Sequence, residues 1–466
     1  MISLSAASIY IPRYRLSRET IAQAWGGRAQ PGSKAVSNFD EDALTMAVAA
    51  VHRLGPQRPE RLYFASTSSP YWQRSAASQI GAACDWGPET AAMDFGGSLR
   101  GGCSALIAAA EAIASNSASD IVVTAADRRD AAPESPEELL FGDAAAAIRL
   151  TSQPGIAEIV AYTSRSDDFL DEWRRDADTF VHNYASKYSL TRGYEANAIA
   201  AAKAVLAKAG VQPSGIALLA LNSPDGRSHS GVAKALGIAP GCVRDGSAQE
   251  IGVTGAAMPL IALAQALSSA KPGDLILAVA YGDGADAILL RSTAAIEPAA
   301  AAGNAAIPYA SYSRYRKSRV YMRQDERGPE ISNVLWKNEE RQNVRLHGTK
   351  CPGCGAVQFP ITRICTVCRN SEGLLEIPLG RTGRVFTFTK DYLYDAPALP
   401  TVMSVIEIDG GGRFLCQMTD VDEREVAIGM PVELVLRRLR EGGQNHHYYW
   451  KCRPASRDGT VVGGGA

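Results

Sequence analysis

The first 290 residues of this chain repeat. Displaced by 154 positions, the sequence aligns with itself without a gap over about sixty residues. Ser69-Pro70 falls on Ser223-Pro224, Gly101 on Gly255, Leu106-Ile107-Ala108 on Leu260-Ile261-Ala262, and Asp120 on Asp274. Coincidence in an Ala-rich chain would pair alanines, whereas here polar and proline positions pair as well. Each copy reads as a short apolar strand (62–66; 216–220), a polar turn, a Gly-led and Ala-rich helix (102–115; 255–269), and a continuous apolar strand beginning Ile121-Val122-Val123 or Leu275-Ile276-Leu277. A helix apolar on every side is a buried helix. Continuous apolar strands belong to parallel sheets covered on both faces. Strands alternating with helices predict an α/β layered fold. The two halves, 1–150 and 151–292, should pack about a pseudo-twofold axis.

The rest of the composition is permissive. Hydrophobic residues make up 46% of the 466, enough for large cores, and the formal net charge of -1 gives no bulk reason to expect a nucleic-acid or membrane partner. No apolar run reaches the length of a membrane span, and the N-terminus lacks the basic-then-apolar pattern of a signal peptide. Nine cysteines, four of them in two tight pairs, suit a reduced, cytoplasmic protein better than a disulfide scaffold.

After Ser292 the α/β pattern stops. Residues 294–306 are rich in Ala, Pro and Gly and read as a linker. A basic aromatic segment follows, with Tyr309, Tyr312, Tyr315 and Tyr321 among Arg314, Arg316, Lys317, Arg319 and Arg323. Linker and segment together occupy 293–345. Cys351, Cys354, Cys365 and Cys368 then form C-x2-C-x10-C-x2-C across 346–372. Each C-x2-C turn aims two thiolates at one metal, and two turns complete a tetrahedron. Four protein ligands leave no open position, so this pattern predicts a structural zinc. From 373 to 455, short alternating runs such as Arg384-Val-Phe-Thr-Phe-Thr and Val402-Met-Ser-Val-Ile-Glu-Ile predict a small antiparallel β-barrel. Residues 456–466 read as a disordered tail. A ribbon before a barrel can serve nucleic acid, since such barrels often bind oligonucleotides.

Two resemblances favour another reading. Leu346-His-Gly-Thr-Lys-Cys-Pro-Gly-Cys-Gly-Ala-Val-Gln-Phe-Pro, followed by Arg363-Ile-Cys-Thr-Val-Cys, resembles the acyl-CoA-associated zinc-ribbon/OB-fold family (domain of unknown function 35). That family implies a rubredoxin-like ribbon, an OB-fold, and partnership with thiolase-like enzymes in holding CoA. It makes Arg314, Arg316 and Lys317 candidates for the CoA phosphates; docking of their helix onto the barrel is the equal alternative. The first 290 residues resemble the thiolase superfamily, in particular 3-hydroxy-3-methylglutaryl-CoA synthase and type III ketoacyl synthases. The resemblance rests on Ala7-Ser-Ile-Tyr-Ile-Pro-Arg-Tyr-Arg, Asp40-Glu-Asp-Ala-Leu-Thr-Met-Ala, Phe141-Gly-Asp-Ala-Ala-Ala-Ala and Tyr281-Gly-Asp-Gly-Ala-Asp. It implies a duplicated five-layered fold, a CoA thioester substrate, and a symmetric dimer, with or without a second thiolase-like subunit.

The same resemblance implies a cysteine nucleophile at the N-terminus of the first-half buried helix, where the helix dipole lowers a thiol pKa. Leu99 occupies that place here, or Ser98 if the turn is one residue longer, and its repeat mate is Val253. The superfamily's H-x-P-N becomes Asn222-Ser223-Pro224-Asp225, and its glutamate becomes Thr67. Cys103 lies one helical turn further in and reads as a small core residue. His229 and His182 read as surface histidines. Tyr184, Tyr188 and Tyr194 surround the region that covers the substrate mouth in relatives, and a core aromatic cluster is their default reading. A Claisen condensation through an acyl-enzyme needs a nucleophile, whereas a retro-aldol cleavage of a 3-hydroxyacyl-CoA needs only a base and an enolate site. The leading expectation is therefore a CoA-thioester C–C lyase, with Tyr188, Tyr194 and Asn222 as candidate catalytic groups. A condensing acyltransferase of the hydroxymethylglutaryl-CoA synthase type, acting through Ser98 or Cys103, is the alternative. A non-catalytic CoA-binding scaffold for a partner thiolase is a third.

Overall fold

The computed structural model describes residues 1–28, 30–176, 178–184, 187–294, 306–321, 332–394, 396–397, 399–439 and 445–455. Most of the expected linker, Arg323 and the tail at 456–466 lie outside the described residues.

Each half of the repeat is the same succession of elements. The first runs β1 (Ser3–Tyr10), α1 (Ala43–His52), β2 (Arg61–Ala65), α2 (Ala76–Ala83), β3 (Ala91–Phe95), α3 (Gly101–Ala114), β4 (Asp120–Asp127) and β5 (Ala144–Thr151). The second runs β6 (Ala157–Ser166), α4 (Ala196–Ala209), β7 (Ile216–Leu221), α5 (His229–Leu236), β8 (Val243–Arg244), α6 (Met258–Ser269), β9 (Leu275–Tyr281) and β10 (Gly284–Ser292). Sheet order is β8-β7-β9-β10-β6-β1-β5-β4-β2-β3, and the two five-strand sets meet where β1 pairs with β6 at Ser3↔Glu158 and Leu4↔Ala157. Central strands β2, β4, β7 and β9 are parallel within each set, as their uninterrupted apolar character requires.

The layers follow from which helices are apolar all round. α3 and α6 lie between the sheets, with Leu106, Ile107, Leu260, Ile261 and Leu263 in one core. Gly102 lets them meet: a Cβ there would stand 2.9 Å from the Ala256 carbonyl oxygen and 3.1 Å from Leu260 Cγ. α1 and α2 cover the outer face of the first set, and α4 and α5 that of the second. Helix, sheet, helix pair, sheet and helix make five layers. Local signals set the boundaries: Asp42 and Thr45 close a capping box at the start of α1, and Gly210 adopts φ +66° at the end of α4.

α7 (Tyr312–Tyr321) docks on the first half. Its Arg319 is buried between Asp143 (2.8 Å) and Asp130 (3.5 Å), and Tyr315 is buried against Lys34, whose Nζ donates to its hydroxyl at 3.2 Å. The ribbon is a three-stranded sheet of β11 (His347–Lys350), β12 (Val357–Gln358) and β13 (Leu375–Pro378), with β11 in the centre. The barrel closes in the order β14 (Thr382–Asp391), β15 (Thr401–Ile408), β16 (Arg413–Met418), β18 (Tyr448–Pro454), β17 (Pro431–Arg438). It packs on α1, and their seam encloses charge. Arg437, fully buried, pairs with Asp40 (3.5 Å), Glu41 (3.0 Å) and Asp420 (2.6 Å). Lys451 reaches Asp40 at 2.8 Å, and Tyr448 donates to Asp42 at 2.7 Å. Among the described residues no helix is long and apolar enough to cross a membrane.

Candidate functional site

A cleft of about 420 Å³ opens at the carboxyl ends of β2 and β9. Ser66 and Thr67 leave β2, Gly282 and Asp283 leave β9, and the turn Gly97–Ser98–Leu99 enters α3 between them. Gly282 makes the closure possible. A Cβ on it would fall 2.8 Å from the Arg100 nitrogen and the Ser98 Oγ, and 2.9 Å from the Leu99 nitrogen. Only glycine lets the end of β9 press on the turn that starts the buried helix.

Two buried carboxylates fasten the halves around this cleft. Asp127, at the end of β4, accepts from the Ser66, Thr67 and Ser68 hydroxyls and, at 2.7 Å, from the Ala256 backbone N–H of the second half. Asp286 on β10 accepts from Arg100 (3.0 Å), Ser104 (2.5 Å) and Ser164 (2.6 Å). Such multiply hydrogen-bonded carboxylates are fixed in place and fully satisfied.

The charged groups at the cleft itself are Asp171, Glu172, Arg174 and Asp283. Asp171 is half-buried, and burial holds its carboxyl above the ordinary range, opposed by the Tyr281 hydroxyl that donates to Oδ2 at 2.5 Å. Burial and the neighbouring Asp171 raise the Tyr281 hydroxyl, so it keeps its proton. Burial raises Glu172 too, although Arg129 pairs with it. The cleft therefore holds two carboxylates of raised proton affinity, Glu172 tied up by Arg129 and Asp171 supported by a protonated phenol, and the second pairing is the equipment of a general base.

The residues singled out from sequence divide sharply. Ser98 and Leu99 line the cleft, and the Ser98 Oγ has no hydrogen-bond partner among the described residues. Asn222 is buried, its Oδ1 accepting from the Tyr281 backbone N–H at 3.1 Å. Tyr194 is fully buried, donates to the Asn222 carbonyl at 2.9 Å and meets the Tyr281 ring edge-on at 5.3 Å. Both hold the end of β9 and do not themselves reach the cleft. Tyr188 is exposed and stacks on Phe169 at 5.9 Å. Cys103 points into the core, where burial pushes its thiol well above the ordinary value. Arg314 and Lys317 are exposed, and Arg316 pairs with Glu138 at 3.3 Å. His229 opens α5, and His182 pairs with Asp178 at 3.3 Å; neither lines the cleft. Asp171 and Tyr281 were not singled out in the sequence. Tyr281 heads the Tyr-Gly-Asp-Gly run and Asp171 lies in the loop that follows β6, but only folding brings them together.

The four cysteines do converge. All four Sγ atoms lie within 4.8 Å of one another, with Cys351–Cys368 and Cys354–Cys365 each 3.6 Å apart. Four thiolates on a tetrahedral zinc stand about 3.8 Å apart, so the spacing fits the ion. The two knuckles are equivalent. Gly355 N–H donates to Cys351 O at 2.9 Å and Arg369 N–H to Cys365 O at 3.0 Å, with left-handed φ of +74° and +64°. The N–H groups of Cys354 and Cys368 lower the thiols of Cys351 and Cys365 respectively. The site is closed, and zinc here would hold the ribbon together without an open position for chemistry.

Comparison with known proteins follows this geometry. Residues 341–372 match the rubredoxin-like zinc ribbon domain of ChsH2 and 376–437 match the ChsH2 C-terminal OB-fold domain. Residues 206–291 match the C-terminal part of 3-oxoacyl-[acyl-carrier-protein] synthase III. The hydroxymethylglutaryl-CoA synthase of Pyrococcus furiosus is 30% identical over 288 residues, which are 59% of this chain and 81% of that protein. The chain belongs to the hydroxymethylglutaryl-CoA synthase family. The Methanosarcina mazei member is likewise 30% identical, over 64% of this chain and 90% of its own length. Among solved structures, an HMG-CoA synthase complexed with CoA superposes with a TM-score of 0.60 at 16% identity, over 68% of this chain and 89% of that one. The Aquifex aeolicus 3-oxoacyl synthase III superposes with a TM-score of 0.56 at 24% identity, over 62% and 100%. This family member is therefore a thiolase-like body fused to a ribbon and barrel, with Leu99 where the resemblance places the acyl-carrying cysteine.

Proposed function

We propose that this protein makes or breaks a carbon–carbon bond α to the carbonyl of a CoA thioester, by an aldol step that needs no acyl-cysteine. The relatives are named as synthases, which favours the condensing direction over cleavage. The observation that carries the reading is the Asp171–Tyr281 pair in a cleft where the nucleophile's place holds Leu99. In the condensing direction, Asp171 removes a proton from the α-carbon of the thioester. The resulting enolate carbon attacks the carbonyl carbon of a ketone or aldehyde, and the new alkoxide takes up a proton to give a 3-hydroxyacyl-CoA. The Leu99 N–H, at the turn into α3, is placed to receive the thioester oxygen as it becomes an enolate. Retro-aldol cleavage of a 3-hydroxyacyl-CoA is the same step in reverse, with Asp171 taking the hydroxyl proton.

Mass spectrometry decides between this and an acyl-enzyme route. Incubation with acetyl-CoA and acetoacetyl-CoA should leave the chain mass unchanged while CoA esters turn over. An acyl adduct on Ser98 or Cys103 refutes the proposal. So does a panel of acyl-CoA and 3-hydroxyacyl-CoA esters that shows no turnover in either direction, or an Asp171→Asn variant as active as the parent. We also infer a symmetric dimer: β3 is the edge of the sheet, and its exposed Met93 offers an apolar, unpaired strand for a second copy.

A further inference from the structure

A second cleft, of about 680 Å³, lies in the seam between the thiolase-like body, the ribbon and the barrel. It is remote from the first. Gly55, Pro56 and Arg58 precede the amino end of β2, whereas the cleft holding Leu99 gathers Ser66 and Thr67 beyond its carboxyl end. Five arginines line it. Three are matched by carboxylates: Arg58 by Glu89 (2.9 Å), Arg345 by Glu340 (3.2 Å) and Asp85 (3.5 Å), and Arg453 by Glu433 (2.7 Å) and Asp420 (3.6 Å).

Arg53 and Arg381 have no carboxylate partner among the described residues. Arg53 donates to the Ile9 carbonyl and lies over the Tyr10 ring at 5.3 Å. Arg381 donates to the Ala83 carbonyl at 2.9 Å and to His52 Nε2, and lies over Trp450 at 4.7 Å. His52 brings no charge: burial and Arg381 hold its pKa well below the ordinary value. The remaining acids of the cleft, Asp85 and Glu433, are engaged by His347 and Arg345 and by Arg453. Burial depresses both Arg53 and Arg381, and the more distant Glu433 and Asp85 respectively offset it only in part. Their aromatic and carbonyl contacts fix the planes of the two forks while leaving N–H groups for the cleft.

We propose that this seam is an anion-binding site for a phosphate-bearing small molecule, held by the forks of Arg53 and Arg381. A guanidinium matches two phosphate oxygens at once, and a dianion would supply the ion-pair partner that Arg53 and Arg381 each lack among the described residues. Binding would also clamp the barrel and ribbon on the body, because Arg53 comes from the end of α1 and Arg381 from the approach to β14.

The test is calorimetric titration of the full chain with inorganic pyrophosphate at low ionic strength, with adenosine 3',5'-bisphosphate as a second arm. One saturable site per chain is expected, weakened at least tenfold by Arg381→Gln and by Arg53→Gln, and less than twofold by Arg58→Gln on the rim. Tighter binding of the bisphosphate identifies a nucleotide-borne phosphate; equal or tighter binding of pyrophosphate identifies the free anion. If Arg381→Gln does not fold by circular dichroism, Arg53→Gln and Arg381→Lys carry the comparison, the lysine expected to bind more weakly than the parent. No saturable binding up to about 5 mM, or affinities indifferent to Arg53 and Arg381, overturns the proposal.

Discussion

Arg437 at the seam between body and barrel gives the sharpest test of how this chain is held together. Replacing it with methionine keeps most of the volume and removes the one cation that touches Asp40, Glu41 and Asp420 together. Asp40 retains Lys451 at 2.8 Å, and Asp420 retains Arg453 at 3.6 Å. Glu41 keeps only the Tyr10 hydroxyl and, at 2.8 Å, the Asn38 N–H. Breaking a buried pair by removing one member costs about 3–5 kcal/mol, because the remaining charge stays desolvated. Arg437→Met should therefore lose about that much in urea titrations followed by tryptophan fluorescence. The acid state of Glu41 gives a second reading. Burial raises its pKa to about 7 even with Arg437 present. An unfolded glutamic acid releases its proton near pH 4.5, so this group's contribution is complete below that pH and falls as pH rises through about 7. The penalty for Arg437→Met should shrink towards pH 5, where Glu41 is neutral. In the Arg437→Met background, Glu41→Gln should cost less than about 1 kcal/mol, a strong departure from additivity. A pH-independent loss below about 1 kcal/mol, with Glu41→Gln additive, would refute the reasoning.

Metal analysis should find one zinc per chain, and Cys365→Ser should release it and open the ribbon to protease. In any CoA-ester turnover assay, Asp171→Asn should lower kcat by about 10²–10⁴-fold with circular dichroism unchanged, and Tyr281→Phe should shift the acidic limb of the pH profile upward as Asp171 loses its donor. Gly282→Ala should abolish turnover, since its Cβ cannot coexist with the turn at Ser98–Arg100; retained activity would show that the turn is free to move. Light scattering should give twice the chain mass, and Met93→Asp on β3 should lower it to one.

Much of the architecture was legible because it is periodic. The 154-residue displacement recurs in the structure as β4 and β9, and the Ala-rich runs with Gly102 and Gly255 mark helices that pack closely. The ribbon was legible because its four ligands are close in sequence and chemically narrow. The cleft was not. Asp171 and Tyr281 stand 110 positions apart and carry no local pattern, so their meeting depends on a loop crossing the mouth of the sheet. Tyr194 and Asn222 illustrate the opposite error. Aromatic and amide groups beside the cleft read as chemistry, yet Tyr194 spends its hydrogen bond on the Asn222 carbonyl and Asn222 on the β9 backbone at Tyr281. Cys103 shows why position outweighs identity: one turn further along α3, a thiol is core material. The basic helix was half legible, since its tyrosines and Arg319 are the docking surface and only Arg314 and Lys317 are left to solvent.

Around Arg437 most of the charges are sorted by origin. Asp40, Glu41 and Asp42 belong to the body; Arg437, Lys451 and Arg453 belong to the barrel, with Asp420 and Glu433 the acids on that side. Cut between the two and each piece would carry a charge cluster mainly of its own sign beside an apolar face, Leu44 and Val48 on one and Leu434 and Leu436 on the other. Their opposite fields would steer them together at a rate that falls with salt. Covalent attachment is thus not what makes barrel recognise body; it fixes their ratio at one to one and raises their local concentration. A barrel supplied as a separate polypeptide would carry the same address.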